Sequence, residues 1–433
     1  MARPAPCATD GSTGSAGQGG TGLAGRRQSS IGRRMPPLDA TPAAQADWLA
    51  RNAVDCLPAG GLERKLAAAR EAGRPLRVKL GIDPTASDIH LGFTVVLGKL
   101  REFQELGHTV VLIVGDYTAR VGDPSGRSAT RPVLSSEEID ANAATFQAQA
   151  LKVLSADRLE VRRNGEWLDM PAERLFGLMR VATVARLLER DDFAKRQAAG
   201  TPISLLELLY PLLQGYDSVA VEADVELGGT DQLFNLLLGR DIQTAYGQSE
   251  QVVLTMPILP GTDGERKMSK SYGNYVGVTE PPEEIYGKTL RVPDGALATW
   301  HELLLGEPVP DGVGPRDAKR ALARALVARF WDEDAAVAAE RAFDRVHRDR
   351  ELPEEVPETP LISNGDGLVH LPAQLAAAFG VSTSEARRAL TQGGVRVDGE
   401  PLAAEPLDRP AAELERRVLQ LGKRRFARLV GSG

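Results

Sequence analysis

The chain has 433 residues, 42% of them hydrophobic, and 52 Lys and Arg against 59 Asp and Glu give a net charge of -7. That length predicts two or three domains, and the acidic balance excludes a global positive field, so any nucleic-acid contact must use a local basic patch. Two cysteines, Cys7 and Cys56, predict no structural disulfide and no metal site, in keeping with a reducing cytoplasm, and no apolar run approaches the length of a membrane span.

Residues 1–36 are rich in Gly, Ser, Ala and Thr, carry no apolar period and are expected to be disordered. Arg26, Arg27, Arg33 and Arg34 against the single acid Asp10 weakly resemble a transit peptide; a floppy extension, with Met35 as an alternative start, is the simpler reading. Leu76 to Ile82 alternates like a strand and stops at Asp83-Pro84-Thr85. A helix follows, with Val96, Leu100, Phe103 and Leu106 at helical spacing, ending at Gly107-His108. Thr109 to Val114 is a continuous apolar run of the buried-strand kind. Strand, helix, strand in this order predicts a βαβ unit of a parallel sheet. Helices are expected near 136–155, 171–190 and 203–215 and from Asp231, with a last strand in Gln251 to Leu259. The whole reads as a doubly wound α/β domain over 37–295.

Beyond it, 296–352 is predicted to be helical, Ala318 to Trp331 most clearly. Residues 353–366, rich in Pro and acids, read as a linker. Residues 367–433 form a smaller, more basic unit, with a helix over Ser384 to Leu390, then a strand and an Asp-Gly turn in Val395 to Gly399.

Two short motifs carry chemistry. Asp88-Ile89-His90-Leu91-Gly92-Phe93 lies after a strand and opens a helix, where unpaired N–H groups and the positive dipole end suit phosphate. Gly92 lets a nucleotide approach the backbone, and His90 can donate to a phosphoryl oxygen. Alone, such a histidine also fits an ordinary helix start. Lys267-Met268-Ser269-Lys270-Ser271 puts two lysines three apart in a polar loop, able to close on a leaving pyrophosphate. Alone, it also fits a solvated basic loop.

Taken together and in this order, the motifs resemble the paired signatures of class I aminoacyl-tRNA synthetases. The first signature departs from the family at Phe93, where a hydrogen-bonding His or Asn is usual. From about Trp48 onward the chain resembles bacterial tyrosyl-tRNA synthetases. The residues that carry this are Gly122-Asp123-Pro124-Ser125-Gly126-Arg127, then Tyr210, Gln214 and Asp217, then Gly228-Gly229-Thr230-Asp231-Gln232. Tyr210, Gln214 and Asp217 stand at i, i+4, i+7, on one helical face.

The resemblance implies a Rossmann-like catalytic domain, an α-helical domain and a small α+β RNA-binding domain. It implies that Asp217 accepts from the phenolic hydroxyl of L-tyrosine, and that Tyr210, Gln214 and Asp123 hold its ammonium group. Asp83 is included in the substrate pocket. Gly229 and Asp231 are expected at the ribose, Gln232 at the reacting end of tyrosine, and His90, Gly92, Arg127, Lys267, Met268, Ser269 and Lys270 around ATP, which Mg²⁺ accompanies. Lys79, five residues before Pro84, is either a partner of Asp217 that also serves the phenol oxygen or a strand-edge lysine facing solvent. Arg387, Arg388, Arg396, Lys423, Arg424 and Arg425 are expected to contact phosphates of tRNA(Tyr). A cytoplasmic homodimer follows by the same resemblance. An RNA-binding paralogue without activation chemistry, or a synthetase for a tyrosine analogue, is the alternative.

Overall fold

The structure, a computed structural model, describes residues 35–84, 88–122, 135–345, 356–422 and 425–431. The expectation of disorder over 1–36 therefore falls almost entirely outside the described residues. Six strands form the main sheet: β1 (Asp55–Leu57), β2 (Arg77–Ile82), β3 (Thr109–Val114), β4 (Leu159–Arg163), β5 (Val225–Gly229) and β6 (Val252–Met256). Their order is β1-β6-β5-β2-β3-β4, parallel except for β1, which pairs antiparallel with β6 at one edge. The β-branched Val and Ile of β3 are buried from Val110 to Val114, as expected for a central strand covered on both faces.

From β2 the chain moves outward through the helix Leu91–Glu105 to β3, then to β4. It returns through the helix Leu205–Ala220 to β5, on the other side of β2. The strand order thus reverses between β2 and β5, the place where open α/β sheets bind ligands. The pairing there is brief: Val78 faces Val225, Lys79 faces Glu226, and no further pairs follow. Past that register the C-terminal ends of the two strands separate, and a crevice opens.

Three of the strands were not expected. β1 is only three residues long, β4 (Leu-Glu-Val-Arg-Arg) is a charged and only partly covered edge, and β5 carries Glu226 and two glycines. The expected 171–190 helix is two helices, Ala172–Met179 and Val184–Leu187, because Thr183 caps a new start by accepting from the Arg186 N–H. The helix near 203–215 runs Leu205–Ala220, opened by a reciprocal cap between Ser204 and Glu207. At Asp231 a 3-10 turn, Thr230–Gln232, precedes the helix Leu233–Ala245.

The helices Pro282–Thr289, Leu297–Leu305, Pro315–Phe330 and Glu333–Asp344 follow, the first packing on the last two. Strands β7 (Glu358–Leu361), β8 (Leu368–His370), β9 (Val395–Val397), β10 (Glu400–Pro401), β11 (Asp408–Pro410), β12 (Val418–Leu421) and β13 (Arg425–Gly431) form a second group. Five of them make a sheet ordered β10-β9-β12-β13-β7, with the helices Leu371–Phe379 and Thr383–Thr391 in the same group around a core that includes Leu375, Leu390 and Leu419. Part of the expected linker is therefore strand. β7 lies at the sheet edge, where Pro360 costs little.

Candidate active site

The crevice between β2 and β5 opens into a cleft of about 640 Å³. At its base Lys79 is fully buried, with its ammonium 2.8 Å from Glu226, 2.8 Å from Ser218 Oγ and 3.0 Å from the Gln214 carbonyl. Glu226 also accepts from Ser218 and Gln251. The reading of Lys79 as a solvent-facing lysine is thus corrected, and so is its expected ion pair with Asp217. Lys79 and Glu226 are register partners on adjacent parallel strands, so their side chains share a face and meet beneath the helix Leu205–Ala220. Every donor of this buried ammonium finds an acceptor, the condition for a buried charge to persist.

The helix Leu205–Ala220 presents Tyr210, Gln214 and Asp217 to the cleft. The Tyr210 hydroxyl donates to Asp83 Oδ2 at 2.9 Å, and Asp83 Oδ1 accepts from Thr118 at 2.7 Å. Gly115 makes room for this: a Cβ there would lie 2.1 Å from Asp83 Oδ1. Asp217 is 2% exposed and accepts from the Trp167 indole at 2.8 Å and from Asn164 at 3.4 Å. Burial pushes its carboxyl up to about 7, although Lys79, Trp167 and Asn164 pull the other way. Asn235 donates to the side-chain oxygens of both Gln214 and Gln232, at 2.8 and 3.1 Å, and its own oxygen accepts from Arg190 at 3.3 Å. Sequence reading missed Trp167, Asn164 and Asn235. The one available signal for the first two was an Asn and a Trp directly following a charged segment that is now seen to be β4.

On the opposite wall the two motifs meet. The Leu91 N–H donates to the Val276 carbonyl and the Val278 N–H to that of Ile89, at 2.9 and 3.0 Å, so the first motif is stitched to the segment just beyond the second. His90 caps its helix by accepting the Gly92 N–H on Nδ1 at 3.2 Å. Burial, then the Lys270 charge, holds the imidazole down to about 4. The ring is neutral and its hydrogen sits on Nε2, a donor. Phe93 lines the cleft, its ring 4.9 Å from that of His90 and 6.0 Å from that of Phe146.

The Lys267–Ser271 loop is held from beneath by Asn274, which is buried, donates to the Lys267 carbonyl at 3.1 Å and accepts the Ser269 N–H at 2.9 Å. Met268 is buried and anchors the loop through its N–H to the Leu259 carbonyl. The two ammonium groups point the other way: Lys270 meets Asp88 at 2.5 Å and Lys267 meets Asp231 at 3.7 Å. Gly229 accommodates Asp231, whose carboxylate a Cβ would meet at 2.7 Å. Asp123 and Arg127 lie outside the described residues.

Arg387 and Arg388 are exposed on the helix Thr383–Thr391, Arg396 on β9 and Arg425 at the start of β13. Arg396 pairs beside Gln420 and Arg425 beside Leu421, so strand alternation sends them to opposite faces of the sheet. Lys423 and Arg424 lie outside the described residues.

A parallel sheet with a crevice at its reversal point, and the two motifs in contact on one wall, is the arrangement of a class I synthetase fold. The sequence model of tRNA synthetases class I (W and Y) matches residues 71–348. A tyrosine–tRNA ligase of Moorella thermoacetica is 48% identical over 407 residues, covering 90% of this chain and 97% of its own. The tyrosine–tRNA ligase of Thermotoga maritima is 49% identical over 403 residues, covering 90% and 98%. Among solved structures, a C-terminally truncated mitochondrial tyrosyl-tRNA synthetase of Aspergillus nidulans aligns with a TM-score of 0.58 at 22% identity, over 71% of this chain and 94% of that one. A tyrosyl-tRNA synthetase of Archaeoglobus fulgidus, complexed with L-tyrosine, aligns at 0.55 and 23%, over 69% and 99%, and both share the fold. The chain belongs to the tyrosine–tRNA ligase family of class I tRNA synthetases.

Proposed function

We propose that this enzyme activates L-tyrosine with ATP and transfers the tyrosyl group to tRNA(Tyr), with the residue roles that follow. The observation that carries the tyrosine reading is the buried Asp217 carboxylate, already gripped by Trp167 and Asn164, at the inner end of the cleft. A phenolic hydroxyl donates to it, and phenylalanine leaves it without that partner. Tyr210 and Gln214 receive the ammonium group, with Asp83 fixing Tyr210 and Asn235 fixing Gln214 and Gln232. Lys79 acts from below, through its charge on Asp217, rather than by touching substrate.

The tyrosine carboxylate is ionised at neutral pH and needs no base. It attacks the α-phosphorus of ATP in line, forming the mixed anhydride and releasing pyrophosphate. Positioning and charge stabilisation supply the catalysis. His90 donates from Nε2, and Lys267 and Lys270 exchange Asp231 and Asp88 for the leaving phosphates. Gly92 and Gly229 allow the nucleotide to approach the backbone. The carboxylates of Asp88 and Asp231 would hold a Mg²⁺ accompanying ATP, which would offset phosphate charge, since this ion is commonly held by one or two carboxylates together with substrate phosphates. A ribose hydroxyl of the terminal adenosine of tRNA then attacks the tyrosyl carbonyl, and AMP leaves. The exposed Arg387, Arg388, Arg396 and Arg425 contact tRNA phosphates.

The enzyme acts as a homodimer. Supporting this, Phe176, Met179, Val184, Leu205 and Leu206 are 57%, 42%, 58%, 81% and 50% exposed on three helices that pack together, an apolar face that a second copy would cover. The free thiol of Cys56 is in keeping with a cytoplasmic setting, and among the described residues no helix is long and apolar enough to cross a membrane. ATP–pyrophosphate exchange across amino acids tests the activity. Exchange with tyrosine alone is expected; none, or equal exchange with another amino acid, would overturn it.

A further inference from the structure

At the opposite end of the sheet from the cleft, where β2, β3 and β4 begin, a second hollow of about 280 Å³ is lined by Arg70, Arg74, His108 and Arg158, among others, and by no carboxylate. The three arginines differ in what they already hold. Arg74 is bound through two bonds, 2.6 and 2.9 Å, by Asp224, so its charge is met. Arg70 donates to the Ala40 carbonyl and Arg158 to the Gly107 carbonyl, at 2.5 and 2.8 Å, and neither forms an ion pair among the described residues. Two guanidinium charges thus share one hollow without an anion.

His108 is a second and independent observation. It is 8% exposed, and its Nδ1 accepts the Leu76 N–H at 3.3 Å. The neutral ring therefore carries its hydrogen on Nε2. That Nε2 has no hydrogen-bond partner among the described residues. A buried donor left unmade is costly, and buried polar groups are otherwise almost always satisfied. Burial, with the Asp224 carboxylate acting against it and Arg158 with it, brings the ring down to about 4, so it stays a neutral donor at physiological pH.

We propose that this hollow is a binding site for a small phosphate-bearing anion, held by Arg70 and Arg158 with the Nε2–H of His108 as the buried donor at its wall. Two guanidinium groups without a carboxylate partner among the described residues, and one buried N–H, select an acceptor-rich anion over a cation or an apolar ligand. Leu38, Leu66 and Leu106 give it an apolar margin, so the phosphate can be part of a small organic molecule. The site stands apart from the catalytic cleft and does not depend on the activity proposed above.

The test uses the full chain with inorganic phosphate as probe, at constant ionic strength against chloride. Calorimetry gives the affinity, and NMR of ¹³C-labelled histidine reports on His108 among the five histidines. Lys270→Ala removes a phosphate contact of the cleft and is expected to leave this affinity unchanged. The double variant Arg70→Ala with Arg158→Ala is expected to weaken it at least about tenfold and to abolish the phosphate-induced shift of the His108 resonance. Both arginines are surface-exposed, so the double variant is expected to fold, which its melting temperature without phosphate checks. The inference is overturned if phosphate leaves the His108 resonance unmoved in the parent. It is equally overturned if the double variant binds like the parent, or if Lys270→Ala alone removes the binding.

Discussion

On the side of the cleft proposed to take the amino acid, Tyr210 is 6% exposed and Asp217 2%, each tied to a side-chain partner. On the side proposed to meet phosphate the Lys267 and Lys270 side chains are 45% and 29% exposed, each with a single carboxylate opposite. The first wall is finished before substrate arrives, because rigid, satisfied groups lose little freedom when the ligand binds. The second is held only at its backbone, by Asn274 and Met268. Half-exposed ion pairs are worth at most about 1 kcal/mol, so Lys267 and Lys270 can leave their aspartates cheaply once phosphate charge develops. On the roles proposed above, this difference would divide the labour: one wall would select the ground state and the other would serve the transition state.

The largest effect that can test this division is expected at Asp217. Asp217→Ala removes the proposed acceptor of the phenol and also strands the Trp167 and Asn164 donors that it now satisfies. At about 1–3 kcal/mol for each buried group left unmade, kcat/KM for tyrosine should fall roughly 10²- to 10³-fold, with phenylalanine losing far less. Steady-state exchange kinetics with both amino acids checks it. An unchanged ratio between the two would place the phenol pocket elsewhere. Next comes the mobile wall. Lys270→Ala should lower the rate of adenylate formation about 10²-fold, the size of losing one transition-state donor, while KM for tyrosine stays within about twofold. Single-turnover adenylate formation at saturating tyrosine decides this. A rise in KM without loss of rate would move Lys270 to the ground-state side.

The two walls also differ in how legible they were. The wall built by His90, Lys267 and Lys270 could be placed at the cleft from two contiguous motifs, because backbone loops and helix starts recruit neighbours in sequence. The Tyr210, Gln214, Asp217 face was readable because one helix carries it at its own period. Trp167, Asn164 and Asn235 could not be read, since each acts by a side-chain bond across distant segments that no local period records. Lys79 shows the same limit. Its partner, Glu226, was fixed by a register between strands 147 residues apart, and β5 had not been recognised as a strand. The crevice itself depends on where that register stops, a property of pairing rather than of either strand.

A smaller effect is expected from pH. Burial raises the Asp217 carboxyl from 3.8 to about 7, and the phenol donates more strongly to the carboxylate than to the protonated acid. The ionised fraction then rises from roughly a tenth at pH 6 to about nine tenths at pH 8, so KM for tyrosine should fall about tenfold over that span as pH rises. The His90 ring, held near 4, stays neutral throughout and adds no limb there. Asp217→Asn should flatten the profile. Flat KM in the parent would mean that the carboxylate is already ionised at pH 6, with Lys79 winning over burial.

The smallest expected effect is at Phe93, and it asks which wall this residue belongs to. Phe93 is 38% exposed, lines the cleft and rests on the rings of His90 and Phe146. It makes no hydrogen bond to a phosphate, so as part of the mobile wall it is replaceable. Phe93→His restores a donor of similar breadth at the same helical position, and activation should stay within about threefold of the parent or become faster, since one new charge-assisted bond offsets the weaker apolar packing of an imidazole. If the ring instead belongs to the rigid wall, holding His90 in its capping rotamer, the substitution lets that imidazole turn away from the Gly92 N–H and the rate drops well beyond tenfold. The His90 resonance separates the two: an unchanged chemical shift with an unchanged rate assigns Phe93 to the mobile wall, whereas a shifted resonance with a slow enzyme makes it a support of His90 and moves the boundary between the walls by one helical turn.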